Sequence, residues 1–378
     1  MRCAIRKLIH PCRLDVLLHD FAASSPYDAP TQTSPNLYFS RIAVTTLKDV
    51  AKLAGVSRAT VSLVCRASPL VAEKTRKKVE QAMETVGYVY NRSAANLRSS
   101  RTNTVGLIIP DISNPVYAEL LLGIEEILDP LGKVVFVADT DELFERQSHF
   151  LQRLLEMRVD GLIISTVSGT PVSTLMPYLR ENIPLVQVLR MIDGAPFDYT
   201  GVNNRLGSKQ AAEYLLQQGH QRIAFIGSVI SPSVNRERYQ GFCEAVEKAG
   251  LYPASMPVIT CRHTYGAAAQ ATKSLLAEPG KPTGLVCFND IIAFGATLGL
   301  YELGLSPGSD VSIIGFDDVE AAQNWRPALT TMSIEARLIG KQAATLLAQR
   351  MEQPDLPIRT LFSNAKLRVR DSCHPPKA

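Results

Sequence analysis

The sequence predicts an α/β protein in which a small all-α helix–turn–helix headpiece precedes a two-lobed, doubly wound parallel-sheet domain. Three observations predict it. Residues 41–103 hold 12 Lys+Arg against 4 Asp+Glu, whereas residues 104–378 hold 24 against 29, so a basic module stands before a mildly acidic one. The basic module shows three short helical patterns. From Val105 onward, short β-branched runs alternate with amphipathic segments for some 275 residues, more than one sheet usually holds.

Residues 1–40 carry Pro, Ser and Thr towards their end ("SSPYDAPTQTSPN") and no sustained periodicity. They read as a flexible arm or as a start assigned too early, and the sequence does not choose between them. The headpiece is expected over residues 41–88. Its first helix lies near Leu47–Ala54, with Thr46 and Asp49 spaced as a capping box and Gly55 placed for a left-handed stop. Its second lies near Ser57–Val64, with Ser57 as cap. In that helix Val61 and Val64 face inward with Val50, Ala54 and Val56, and Arg58, Ala59, Ser62 and Leu63 fall on the opposite face. The third, near Glu73–Val86, places Val79, Ala82, Met83 and Val86 on one side. Such a hairpin can offer the start of its second helix to a DNA groove, where Arg58 suits guanine and Ala59 and Leu63 suit thymine methyls. A purely structural helical hairpin fits the same pattern, and the pattern alone leaves both readings open.

A small, polar stretch, "NRSAANLRSSRTNT", makes residues 89–103 a linker. In the large domain, strands are expected at "VGLIIP", "KVVFVAD", "GLIIS", "PLVQVL", "RIAFIG", "GLVCF" and "VSIIGF", with helices at "PVYAELLLGIEEILDPLG" and "RLGSKQAAEYLLQQGH". We expect lobe 1 at about 104–192 and 329–352, and lobe 2 at about 193–328 and 353–378. Ligands of parallel sheets bind at the carboxyl ends of the strands, so a cleft between facing lobes is the candidate site.

Composition narrows the function. A 46% hydrophobic, 20% charged chain is ordinary for a globular protein. No run approaches the ~18 apolar residues of a membrane span, and the N-terminus lacks the apolar core of a secretory signal. Seven scattered cysteines without CxxC pairing suit free thiols in a cytoplasm. There is no GxSxG, P-loop, GxGxxG after a strand, or HExxH, and the six dispersed histidines offer no metal spacing. His220, in "GHQRIAFIG", is expected as a turn residue before a strand. An enzyme and a metal protein are both disfavoured.

The run from "TLKDVAKLAGVSRATVSLV" through "SPLVAEKTRKKVEQAMETVGYVYNR", "VNNRLGSKQAAEYLLQQGHQRIAFIG", "FNDIIAFGA" and "VSIIGFDDVEAAQNWRPALTTM" to "LRVRDSC" resembles the LacI/GalR family of bacterial transcriptional regulators. The similarity covers about Val44 to Cys373, in family order. The hinge stretch "YVYNRSAANLR" is most similar to the maltose-regulon repressor subgroup. The resemblance implies DNA contacts by Thr46, Ser57, Arg58, Ala59, Thr60, Ser62 and Leu63. It also implies a hinge helix at Ala94–Arg98, flanked by Asn91, that enters the minor groove with Leu97 as a wedge. The large domain resembles the periplasmic sugar-binding fold. Its implied effector-binding residues are Asp111, Tyr117, Arg190, Arg238, His263, Asn289 and Asp317. Departures from the family pattern are Ala72 for a capping Ser, Cys65 and Arg66 past the recognition helix, Tyr90 for a Pro, Ala95 for an Arg, and Leu189 for an Asp.

The expectation is a homodimeric cytoplasmic repressor that binds a palindromic double-stranded operator and answers to a small molecule, a carbohydrate by resemblance. It has no cofactor. No heptad follows "LRVRDSC", so nothing points to a tetramerising helix. The rival is a transport solute-binding protein of the same two-lobed fold, which would need an export signal and no basic headpiece.

Overall fold

A computed structural model describes residues 45–66, 68–90, 102–229 and 232–377. The chain divides into two units, residues 1–90 and 91–378.

In the first unit, α1 (Leu47–Ala54), α2 (Arg58–Cys65) and α3 (Glu73–Thr85) close a small core of Val50, Ala51, Val61, Val64, Val79 and Ala82. The stops and starts are local chemistry. Thr46 and Asp49 form the capping box, the Asp49 carboxylate accepting from the Thr46 backbone N–H at 2.9 Å and its hydroxyl at 2.7 Å. Those bonds hold the Asp49 carboxyl below its ordinary pKa. Gly55 ends α1 at φ 67°, and Ser57 Oγ accepts from the Thr60 N–H at 3.1 Å to start α2. At α3 the cap is absent: Ala72 makes no side-chain bond there, and Arg76 instead ties the preceding loop by donating to the Ser68 carbonyl at 2.8 Å. Cys65 turns inward, its Sγ 3.8 Å from Met83 Sδ.

The second unit holds two six-stranded sheets. The first contains β1 (Thr104–Ile109), β2 (Val134–Asp139), β3 (Gly161–Ile164), β4 (Leu185–Val188), β5 (Asp198–Val202) and β11 (Thr360–Ser363), in the order β11-β5-β4-β3-β1-β2. The second contains β6 (Ile223–Ser228), β7 (Val258–Cys261), β8 (Gly284–Cys287), β9 (Ser312–Asp317), β10 (Thr330–Ser333) and β12 (Lys366–Arg368), in the order β12-β10-β9-β8-β6-β7. Pairing is parallel throughout except β10 with β12. The central strands are apolar on both faces because helices cover both.

The chain crosses between lobes three times, at Val202–Asn204, Ser333–Ala336 and Ser363–Lys366. These crossings correct the sequence-based bounds. β5 belongs to lobe 1, beyond the expected limit at 192; β10 belongs to lobe 2, although 329 onward was assigned to lobe 1; and β11 returns to lobe 1 from a tail assigned to lobe 2. Each misplaced strand is short and polar ("DYTGV", "TTMS", "TLFS"), so its sheet is set by its pairing partner and not by its own hydrophobicity.

Glycines seat the helices. In lobe 1, α4 (Pro115–Leu128) packs on α12 (Ala336–Glu352), and a Cβ on Gly123 or Gly340 would fall on the carbonyl oxygen of Arg337 or Leu120. In lobe 2, α7 (Asn204–Gln217) meets α8 (Pro232–Lys248) at Gly241, where a Cβ would fall on the Arg205 carbonyl oxygen. His220 follows α7 ahead of β6 and also fastens the C-terminal strap: Nδ1 bonds Thr283 Oγ1 at 2.8 Å, and Nε2 lies 3.0 Å from the His374 carbonyl. Burial holds its pKa down, so the ring stays a neutral hydrogen-bonding staple. The five cysteines of the described residues are all free thiols.

Candidate functional site

On the headpiece, the N-terminal turn of α2 exposes Ser57, Arg58 and Ala59, while Thr60, Ser62 and Leu63 are half-buried along its flank. Thr46 is exposed at the start of α1. The fixed N-terminus of α2 gathers unpaired backbone N–H groups and the Arg58 guanidinium at one end, the arrangement that meets phosphate and base edges together. Arg66 donates back to the Ser62 carbonyl at 3.2 Å, so it extends the same exposed surface. Asn91, Ala94, Leu97 and Arg98 lie outside the described residues.

In the second unit, Asp111, Tyr117, Arg190, Arg238, His263, Asn289 and Asp317 line a single cavity of about 60 Å³ at the carboxyl ends of the strands, between the lobes. A larger depression of about 850 Å³ opens at the amino ends of the first sheet, around Asn103, Lys133, Asp160 and Pro184. Its charged pair is already closed, Lys133 Nζ lying 2.5 Å from Asp160, and it sits at the end of a parallel sheet that ligands do not use. The smaller cavity is the candidate site.

Arg238 is the centre of the lobe 2 wall. Its Nε donates to Asn204 Oδ1 at 3.0 Å, one terminal nitrogen donates to the Phe288 carbonyl, and the other lies 3.5 Å from Asp317 Oδ1. The guanidinium lies over the rings of Phe316 (3.7 Å) and Phe288 (4.6 Å), which fixes its plane. Asp317 ends β9 at φ 117°, followed by Asp318 at φ 60°. Burial pushes the Asp317 carboxyl up to about 6 against the opposing pull of Arg238. Asp290 props this turn from beneath, accepting from the Val319 N–H at 2.9 Å and from Thr331 Oγ1 at 2.5 Å. Asn289 uses Oδ1 to cap α10 (Asp290–Glu302) by accepting from the Ile292 N–H at 3.0 Å. Its Nδ2 is buried with no hydrogen-bond partner among the described residues, on a residue that lines the cavity. A buried donor left unmade costs about 1–3 kcal/mol. His263 stacks on Phe288 (5.0 Å, 26°) and bonds Ser228 Oγ at 2.5 Å. Burial first, then Arg190 and Arg238, drive its pKa down to about 4, so it is neutral.

The lobe 1 wall differs. Arg190 forms a two-pronged pair with Glu142 (3.0 and 2.5 Å) and donates to the Thr166 carbonyl at 3.1 Å. Tyr117 Oη is 3.4 Å from Ser165 Oγ, and Asp111 accepts from the Ser113 N–H and hydroxyl at 2.9 and 2.6 Å. Leu189 enters the cavity from φ 60°, a left-handed conformation that costs a residue with a Cβ roughly 1 kcal/mol.

Sequence reasoning missed Asn114, Val116, Glu142, Val202, Asn204, Val234, Phe288 and Ile334, which also line the cavity. Phe288 in "FND" stands beside Asn289, already singled out, and Asn204 lies in the quoted run "VNNRLGSKQ". Glu142 gave no signal, because only folding brings it to Arg190 across 48 residues.

Two family matches divide the chain as the fold does. Residues 46–91 match bacterial regulatory proteins of the lacI family, and residues 102–367 match the periplasmic binding proteins and sugar binding domain of the LacI family. The chain belongs to the LacI family. It is a DNA-binding transcriptional regulator of the repressor type with a ligand-binding domain. The HTH-type transcriptional repressor PurR of Aliivibrio salmonicida is 32% identical over 333 residues, covering 87% of this chain and 99% of that one. Among solved structures, the lac repressor dimer bound to operator and the anti-inducer ONPF is similar at a TM-score of 0.76 and 28% identity, covering 87% of this chain and 99% of that one. A LacI family regulator from Enterococcus faecium with bound ribose is similar at a TM-score of 0.68 and 28% identity, covering 72% of this chain and all of that one. No helix among the described residues is long and apolar enough to cross a membrane.

Proposed function

We propose that the protein is a homodimeric repressor that binds a palindromic operator and is controlled by a small carbohydrate held between its lobes. It acts by binding, without chemistry of its own, in the cytoplasm where its DNA lies. The observation that carries the effector half is the convergence of Arg238, Asp317 and the unpartnered Asn289 Nδ2 on one cavity. A carboxylate and an amide at neighbouring strand ends, with the Arg238 guanidinium from α8 beside them, match the paired donors and acceptors of sugar hydroxyls. The cavity holds only a few waters' worth of space, so the lobes part to admit a monosaccharide.

Arg58, Ala59 and Leu63 read bases in the major groove in this proposal, with Thr46, Ser57, Thr60 and Ser62 placing the helix on phosphates. Asn91, Ala94, Leu97 and Arg98 belong to a hinge helix whose leucine opens a minor-groove step. Effector and operator are coupled reciprocally, because each acts only through its different affinity for the two arrangements of the lobes.

Operator binding by purified protein, measured against salt with and without sugars, tests the whole reading. The expected result is a specific complex with a palindrome near its own or neighbouring genes, weakened by salt and shifted by a monosaccharide. Absence of any specific complex overturns the repressor reading. Leu97→Ala is expected to weaken specific binding while sparing the dimer and effector affinity; unchanged operator affinity overturns the wedge role.

A further inference from the structure

We propose that the effector is a deoxy sugar, a monosaccharide with one hydroxyl replaced by hydrogen, seated with its bare carbon against Leu189. This rests on the carbohydrate reading above and narrows it.

The two sheets have the same strand order, so β4 of lobe 1 and β9 of lobe 2 occupy equivalent places in their lobes. Each ends in a left-handed residue facing the cavity: Leu189 (φ 60°) after β4, and Asp317 (φ 117°) at the end of β9. Asp is a residue that tolerates such backbone by local hydrogen bonding, and Leu is not. At equivalent positions, one lobe therefore offers a carboxylate and the other an isobutyl group held in an unfavourable conformation. Val116, from the first turn of α4, lies on the same cavity wall.

The polar groups of lobe 1 are engaged within the lobe: Arg190 is held by both Glu142 oxygens and the Thr166 carbonyl, Asp111 closes on Ser113, the Asn114 amide oxygen accepts from the Val116 N–H, and Tyr117 Oη lies 3.4 Å from Ser165 Oγ. Lobe 2, in contrast, keeps the Asn289 Nδ2 donor unpartnered beside Asp317 and Arg238. A fully hydroxylated ring laid across this cleft would satisfy its hydroxyls on the lobe 2 side and press at least one against Leu189. A hydroxyl buried there loses its water without gaining a partner, whereas a methyl or methylene loses nothing. Leu189 is thus the specificity-determining residue.

The test is calorimetric titration of the full-length dimer with ribose, arabinose, xylose, galactose and mannose, each against its monodeoxy counterparts. At least one deoxy sugar is expected to bind tenfold or more tightly than its parent, the scale on which an apolar pocket discriminates. Leu189→Asp, which suits the backbone, is expected to reverse that order, and Leu189→Asn serves as a second variant should the buried charge prevent folding. Parent sugars that bind as tightly as every deoxy form, or an unchanged order in both folded variants, overturn the deoxy assignment and leave the carbohydrate reading standing. Failure of every sugar, parent and deoxy, to bind overturns both.

Discussion

The two lobes share a strand order and a way of seating helices, yet they meet the ligand with opposite chemistry. Both lobes tie their arginine inward, Arg238 to Asn204, the Phe288 carbonyl and Asp317, Arg190 to Glu142 and the Thr166 carbonyl. Lobe 2 differs in adding an Asn289 amide donor without a partner among the described residues, where lobe 1 adds Leu189. The difference teaches that strand-end position alone does not make a ligand contact. Partners within the lobe decide whether a polar atom remains available.

The largest expected effect breaks the polar lobe. Arg238→Met leaves Asp317 buried without its cation, and breaking such a pair costs about 3–5 kcal/mol. Urea unfolding near pH 8 should show the loss, together with abolished effector binding. The deficit should shrink towards pH 5, because a protonated Asp317 no longer needs a cation.

The next effect is a balance of protons within that lobe. The folded pKa of His263, about 4, lies below the ordinary 6.5, so its contribution to stability is present above pH 6.5 and is lost as pH falls towards 4. The folded pKa of Asp317, about 6, lies above 3.8, so its contribution is full below pH 3.8 and is lost as pH rises through 6. In His263→Asn the His263 contribution is removed, so unfolding free energy should fall from pH 4 to 6.5 by about 3 kcal/mol relative to wild type. A difference from wild type that does not change with pH would break this account.

Smaller effects test what the lobes share. Gly123→Ala in lobe 1 and Gly241→Ala in lobe 2 each force a Cβ onto a facing carbonyl oxygen, and each should cost about 1–3 kcal/mol in chemical unfolding. Similar losses would confirm that the scaffolds match where the cleft walls do not. The smallest lies outside both lobes: Ala72→Ser restores the missing cap of α3 and should stabilise the headpiece by about 1 kcal/mol, read from its own thermal transition.

The headpiece was almost fully legible in the sequence. Its signals are local: Thr46 and Asp49, Gly55 and Ser57 act within a turn, and Val61, Val64 and Val79 recur at helical spacing. The long central strands were legible for the same reason, since runs such as "GLIIS" carry their own hydrophobic signal. The strands "DYTGV", "TTMS" and "TLFS" were not, and the lobe bounds moved with them.

At the cleft, the sequence and the family it resembles named Arg238, Asn289 and Asp317: Asn289 opens a helix and Asp317 ends a strand in a recognisable phrase, and Arg238 stands within α8, three residues before Gly241. Only the tertiary structure decided what each could offer. It joined Arg190 to Glu142 across 48 residues, set Leu189 opposite the polar lobe, and left Asn289 with an unmade hydrogen bond. Local sequence fixes where a backbone turns and which side chain stands there; the chemistry left for a ligand depends on long-range pairing and burial, which exist only once the lobes are packed.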